Sequence, residues 1–332
     1  MQWLWTICAV LAIFAVIFIG AVARRVNWLN EEADRSLLKI VVNILMPALI
    51  LKATLGNPQL LLARNILLPP VIGFFSVLIG CLLALITARL LGRAAGMDNP
   101  RQWRTFALCV GLYNYGYVPI PLVGQVFGGP AQEGTLAVLF VHNLGVEIAM
   151  WTVGVLLVSG HLGRDWYRRI FNAPSVTIAV ALVLNLLYAQ FAGLVPDLAR
   201  RLYSDWVFQS INMLAVSAIP VALLLIGATV ADVFEEFQFT RGLRIISLAS
   251  ILRLGILPVL FLLLAWVLPG SAELKRVVIL QAAMPSAVFP IVLSRHYGGD
   301  PPTAVRVVLG TSLLSLATMP FWLWVGLKML AA

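Results

Sequence analysis

Tyr113-Asn114-Tyr115-Gly116-Tyr117-Val118-Pro119-Ile120-Pro121 and Gln281-Ala282-Ala283-Met284-Pro285-Ser286-Ala287-Val288-Phe289-Pro290 interrupt two otherwise apolar runs, Phe106 to Phe127 and Val277 to Tyr297. Each run is closed by a glycine pair, Gly128-Gly129 and Gly298-Gly299. In hydrocarbon an opened helix turn persists only where its freed backbone groups meet protein, water or an ion. Two such breaks in one chain therefore mark a buried polar site.

The surroundings are apolar. Of 332 residues, 61% are hydrophobic and 11% charged, and the mean hydropathy is +0.97. A soluble core of this size could not hide that much apolar surface, which predicts an all-α polytopic membrane protein. Runs of roughly 20 residues, enough to span a bilayer core, read at about ten places. They are Trp3 to Val22, Leu38 to Leu55, Ile66 to Ala88, Phe106 to Phe127, Thr135 to Ser159, Pro174 to Leu194, Val207 to Ala231, Ile245 to Leu268, Val277 to Tyr297 and Ala304 to Leu330. Loops are short, so any chemistry belongs within the helices.

The formal net charge of +9 alternates between loops rather than gathering on one surface. That pattern argues against nucleic acid and for anionic lipid as the partner. With the N-terminus outside, inner ends carry 15 basic residues against 7 on the outer ones, Arg253 left aside. The bias predicts both termini outside and an even number of spans, and a plasma membrane of the bacterial inner type is the expected location. Arg24-Arg25 follow the first apolar run and no basic region precedes it, which predicts an uncleaved first helix. Cys8, Cys81 and Cys109 show no metal-ligand spacing and read as small core residues.

A shift of 170 places Gly128-Gly129 on Gly298-Gly299, and a shift of 173 places Met46-Pro47-Ala48-Leu49 on Ile219-Pro220-Val221-Ala222. The chain reads as five helices copied once. Because five is odd, the second copy lies inverted in the membrane, giving ten transmembrane helices as a 5+5 inverted repeat with helices 4 and 9 broken. Chance alignment of apolar segments is the alternative.

A proline inside a helix frees the carbonyl four residues earlier. Pro119 and Pro121 would free those of Tyr115 and Tyr117, and Pro285 and Pro290 those of Gln281 and Ser286. Each half-helix beyond a break begins with unpaired N–H groups, so one site could offer carbonyls to a cation and N–H groups to a carboxylate. Simple kinks healed by neighbouring side chains are the competing reading. Asn114 is the first binding candidate, with capping of the half-helix as its other role. Tyr115 offers an aromatic wall, and Gly116 allows close backbone approach. The second copy supplies Gln281, Met284, Ser286 and Phe289, and the 170 shift sets Met284 opposite Asn114.

Glu147 lies one helical turn beyond Asn143, so the two share a face. A carboxylate at that depth needs a partner, a proton or water, which makes Glu147, with His142, a candidate proton or cation site. The alternative is a structural pair with Arg253, Lys52 or His142, Arg253 otherwise snorkelling inward. Asn43 and Asn212 precede Pro47 and Pro220 and either line the cavity from the opposite side or join helices.

Asn114, Gly116 and Pro121, the run Gln281-Ala282-Ala283-Met284-Pro285, and Leu45-Met46-Pro47-Ala48-Leu49 together resemble the auxin efflux carrier family. That family includes plant exporters and bacterial carriers linked to malate or malonate. The resemblance spans nearly the whole chain and implies a fold and a function. Helices 1, 2, 6 and 7 (1–60 and 173–232) would form a dimerising scaffold, and helices 3–5 and 8–10 (61–172 and 233–332) a mobile core. An organic anion would bind where broken helices 4 and 9 cross, and an elevator-like shift would expose it to either side. The family's crossover asparagine carries over to Asn114 and its crossover prolines to Pro121 and Pro285. The third helix, Ile66 to Ala88, has no acidic or basic residue in its middle, unlike the plant members, which argues against auxin itself.

The leading reading is a secondary carrier for small carboxylates, with no cofactor and with possible proton or sodium coupling. A sodium-coupled carrier of the bile-acid symporter type is the rival, followed by a channel or sensor. An intramembrane enzyme is the remaining class: the aspartates sit at helix ends or loops and no H-E-x-x-H occurs, which leaves Ser286 with His142 as the one nucleophile pairing.

Overall fold

The computed structural model describes residues 2–161, 166–191, 205–235 and 239–331, so Arg164, Asp165, Asp197, Arg200 and Arg201 lie outside the described residues. Among the described residues all regular structure is helical. Seven helices are long and apolar enough to cross a membrane: α1 (Trp3–Arg25), α2 (Glu31–Thr54), α3 (Ala63–Leu91), α6 (Gly129–Ser159), α9 (Trp206–Phe234), α10 (Gly242–Val267) and α13 (Pro301–Leu330). A shorter apolar helix, α8 (Ala173–Leu187), follows the five-residue α7 (Trp166–Ile170). The two interrupted runs appear as pairs of short helices, α4 (Pro100–Gly111) with α5 (Pro119–Val126) and α11 (Ala272–Ala283) with α12 (Phe289–His296). At about 1.5 Å per residue, no half of either pair spans a bilayer alone.

Small residues set the packing. A Cβ added at Gly227 of α9 would overlap the Ile17 carbonyl of α1, and one at Gly145 of α6 would overlap the Pro70 carbonyl of α3. Backbones this close give the van der Waals contact that holds helices together in lipid, where no hydrophobic force acts between them. The glycine pairs that close the interrupted runs each contain one left-handed residue, Gly129 at φ 54° and Gly298 at φ 75°. A side chain there would be strained, so the tight turns into α6 and toward α13 call for glycine.

Proline shapes two of the long helices. Pro47 and Pro258 each follow a wide π-turn, Val41–Leu45 and Ile251–Ile256. Pro258 cannot bond the Leu254 carbonyl, and the indole Nε1 of Trp322 on α13 donates to it instead at 2.6 Å. The freed acceptor is satisfied by a neighbouring helix, as buried backbone in a membrane requires. At one end of the bundle Arg24 pairs with Asp34, and with Asp232 at 3.0 Å, tying the ends of α1, α2 and α9.

Candidate functional site

The two interruptions meet. Asn114 N–H donates to the Pro285 carbonyl and Ala287 N–H to the Leu112 carbonyl, both at 2.9 Å, so Tyr113 and Ser286 form an isolated antiparallel bridge. An offset of 173 exchanges these two bonds, since 112 maps to 285 and 114 to 287. Asn114 therefore faces Ala287 as its counterpart, and not Met284 as the 170 shift expects. The discrepancy is one of length: the first break runs from Leu112 to Val118 and the second only from Met284 to Val288, so no single offset aligns both sides. The additional residues of the first break fall where Asn114, Tyr115, Gly116 and Tyr117 lie.

Other backbone groups opened by the breaks also have partners. Gln281 reaches across from α11, its Nε2 donating to the Tyr115 carbonyl at 3.2 Å. Asn114 Oδ1 accepts from Val118 N–H at 3.4 Å, just before α5, and Ser286 N–H donates to Thr311 Oγ1 at 3.4 Å. Pro119 and Pro290 sit in the first turn of α5 and α12, where an N–H would have no helical acceptor and proline costs nothing. They start half-helices rather than kink continuous ones.

Arg253 is the residue that sequence reasoning undervalued. It is 0% exposed, held among the helices. Its Nη2 donates to the Gln281 carbonyl at 2.7 Å and its Nε to the Met284 carbonyl at 2.8 Å. The guanidinium carbon lies 5.0 Å from the centre of the Tyr113 ring and 5.5 Å from that of Phe261. Tyr113 is itself held by Phe261 edge-on at 5.8 Å and by a 2.7 Å bond between its hydroxyl and Ser76 Oγ. The Gln281 carbonyl, expected to be freed by Pro285, is thus bonded by a side chain. The signal is present in the sequence as the one charge in the middle of Ile245 to Leu268. What the sequence could not show is that the π-turn before Pro258 carries that residue, or that α11 ends beside it.

Three buried polar atoms at this junction have no hydrogen-bond partner among the described residues: Arg253 Nη1, Gln281 Oε1 and Ser286 Oγ. Ser286 and His142 are not bonded to each other; His142 Nδ1 instead lies 3.5 Å from Asn143 Oδ1, both residues being buried on α6. Gly116 is in open space, since an added Cβ would meet no atom within 4 Å. Close protein packing is therefore not why glycine stands there. Nearby, a cavity of ≈ 110 Å³ opens between α2 and α9, with Tyr117 of the first break, Val41 and Asp34 in its wall.

Pro121 is half-buried in the first turn of α5, and Phe289 packs edge-on against Trp151 at 5.5 Å. Glu147 pairs with none of Arg253, Lys52 or His142. Its Oε1 accepts from the Tyr115 hydroxyl at 3.0 Å and its Oε2 from Asn172 Nδ2 at 2.8 Å, so it links the first break to the residue before α8. Asn43 makes its bond within its own helix. It is exposed, and its Nδ2 donates back to the Lys39 carbonyl one turn earlier at 2.8 Å. Asn212 is half-buried on α9. Among the described residues no group of three or more His, Cys, Asp or Glu could hold a metal ion.

The sequence profile of a family described as membrane transport protein matches residues 5–165 and 162–323. The chain belongs to the auxin efflux carrier family of membrane transport proteins. This member is 26% identical over 317 residues to an uncharacterized transporter of Methanothermobacter thermautotrophicus, covering 94% of this chain and 96% of that protein. It is 22% identical over 321 residues to one of Methanocaldococcus jannaschii, covering 96% and 98%. To the uncharacterized transporter YfdV of Escherichia coli K12 it is 21% identical over 322 residues, covering 95% and 96%. The family and its relatives are transporters, and the apolar helices make this member a multi-pass membrane protein.

Proposed function

We propose that the protein is a secondary carrier of small organic anions, carboxylates above all, that works by alternating access at the junction of the two breaks. The observation that carries this reading is a fully buried guanidinium with no carboxylate within ion-pair distance among the described residues, set beside opened backbone. A buried charge is expensive, and carbonyls and rings stabilise this one without neutralising it, so a positive centre with no anionic partner in a membrane carrier favours an anionic cargo. Asn114, Tyr115, Gly116 and Pro121 from the first break, Gln281, Met284, Pro285 and Ser286 from the second, and Asn143 of α6 frame the binding region. Glu147 and His142 stay candidates for proton coupling.

In this reading α4–α5 and α11–α12 each count as one span, α8 as another, and the ten spans form a 5+5 inverted repeat. The exchange of the two junction bonds by one offset supports it. Segments 1–60 and 173–232 serve as scaffold and dimer interface and 61–172 and 233–332 as the moving core. The packing of α1 along α9 and of α3 along α6 agrees with that division, and the cavity beside Tyr117 lies between the two parts. Both termini face outside across a bacterial inner membrane. Protein reconstituted into liposomes is expected to give saturable flux of labelled malate, malonate or succinate, and little of neutral or cationic solutes of similar size. Flux that does not saturate, or that ignores charge, would sink this reading in favour of a channel.

A further inference from the structure

α11 ends at the junction, and the last carbonyls of a helix carry the negative end of its dipole. In a broken membrane helix such carbonyls are where a small cation is bound. Here two of them, from Gln281 and Met284, are instead bonded by Arg253 at 2.7 and 2.8 Å. The guanidinium is also covered by the faces of Tyr113 and Phe261, a placement that attracts a cation through the ring quadrupole. Two carbonyls and two aromatic faces make a site for one positive charge, and the protein has filled it covalently.

We propose that Arg253 is a tethered counter-cation that holds the position a sodium ion would need at α11, so that transport proceeds without sodium bound at this junction. This rests on reading the junction as the transport site. Gln281 Oε1 and Ser286 Oγ are still without partners there, yet they do not make a second cation site. A sodium ion there would share the junction with a fixed guanidinium, and like charges at a separation of about 5 Å and an effective dielectric near 20 weaken binding on the order of a hundredfold. Those oxygens suit water or the donor groups of a cargo. The offset-related position in α3 is Gly80, which approaches Gly111 of α4 closely, an added Cβ lying 3.0 Å from its Cα. The first break thus closes by backbone packing where the second closes by charge, and only one of the two half-helix ends carries a cation.

The test uses purified protein in detergent, unfolded thermally in sodium, potassium or choline chloride at equal concentration and without any carboxylate. The wild type is expected to melt at one midpoint in all three salts. A sodium-specific rise in that midpoint would overturn the proposal. Arg253→Lys is expected to fold and remain indifferent to sodium, whereas Arg253→Gln either loses folded yield or gains a sodium-dependent rise. A folded Arg253→Gln that is as stable as wild type and equally indifferent would also overturn it, because no charge would then be needed at the carbonyls. If neither variant folds, the wild-type comparison alone decides. Adding malate or succinate in potassium salts tests the anion reading separately. Sodium indifference without carboxylate stabilisation would remove the cargo class and leave the role of Arg253 standing.

Discussion

Asn114 makes two different kinds of contact, and they can be separated by mutation. Its backbone N–H bonds the Pro285 carbonyl and survives any side-chain change. Its side chain accepts from Val118 N–H at 3.4 Å, a long bond at the start of α5. Asn114→Ala should therefore leave the junction joined and cost only the cap, about 0.5–1 kcal/mol. If the amide also contacts the cargo, the lost hydrogen bond to a charged group is worth about 1.5–3 kcal/mol, raising the half-saturation concentration roughly 10- to 150-fold. Asn114→Asp is the control: a carboxylate still caps and suits the positive end of the half-helix, but repels an anion. Stability of Asn114→Asp should match wild type while saturable carboxylate flux into proteoliposomes is lost. Flux by Asn114→Asp at the wild-type level would refute the assignment. So would a half-saturation concentration for Asn114→Ala that moves less than about threefold, since the loss then amounts to no more than the cap.

Two glycines should part company. Gly116→Ala meets no protein atom, so thermal stability should change by no more than about 0.5 kcal/mol while transport falls. Gly145→Ala drives its Cβ into the Pro70 carbonyl and should cost about 1–3 kcal/mol, read as a lower melting point and reduced folded yield. Trp322→Phe keeps the ring and removes the donor to Leu254. It should cost about 1–3 kcal/mol, and an unchanged melting point would mean that water or a shifted neighbour takes over the carbonyl. Glu147→Gln and Tyr115→Phe each remove part of one bonded unit, so a double-mutant cycle should show a coupling of about 0.5–3 kcal/mol. If Glu147→Gln alters the pH dependence of transport while Tyr115→Phe does not, Glu147 carries a proton in addition to bonding Tyr115.

What is legible in the sequence and what is not divide along physical lines. Apolar length and proline position are local, so the long spans and both interruptions can be read from residue order alone. Pro119 and Pro290 mark helix starts, and Gly129 and Gly298 the turns, because these residues act on their own backbone. Partner choice is not local. Nothing near Glu147 in sequence points to Asn172, which arrives from beyond the α7 segment, and nothing near Arg253 points to the end of α11. Asn43 is a further case: its place before Pro47 suggests a cavity-lining amide, and its side chain bonds the Lys39 carbonyl of its own helix.

The same distinction bears on why the two interrupted runs do not align at one offset along their length. The paired backbone around Tyr113 and Ser286 is related by an offset of 173, whereas the left-handed turn residues Gly129 and Gly298 are 169 apart, so the two runs differ in length between the junction and the turns. Backbone pairing tolerates such a change because each bond joins main-chain groups present in every residue. The chemistry does not tolerate it equally. The longer break holds the asparagine, the tyrosines and the open space at Gly116, and the shorter one is bonded by the Arg253 guanidinium of α10. A cargo seated here would be recognised by neutral donors on one side and balanced by a guanidinium on the other, and exchanging the two half-sites would not restore it. Transplanting Tyr113-Asn114-Tyr115-Gly116-Tyr117 into the second break should therefore preserve the main-chain bridge and abolish binding. Because Arg253 stays in place on α10, a duplicated chain that still bound carboxylates would show that the guanidinium suffices and that the different side chains of the two breaks do not select the cargo.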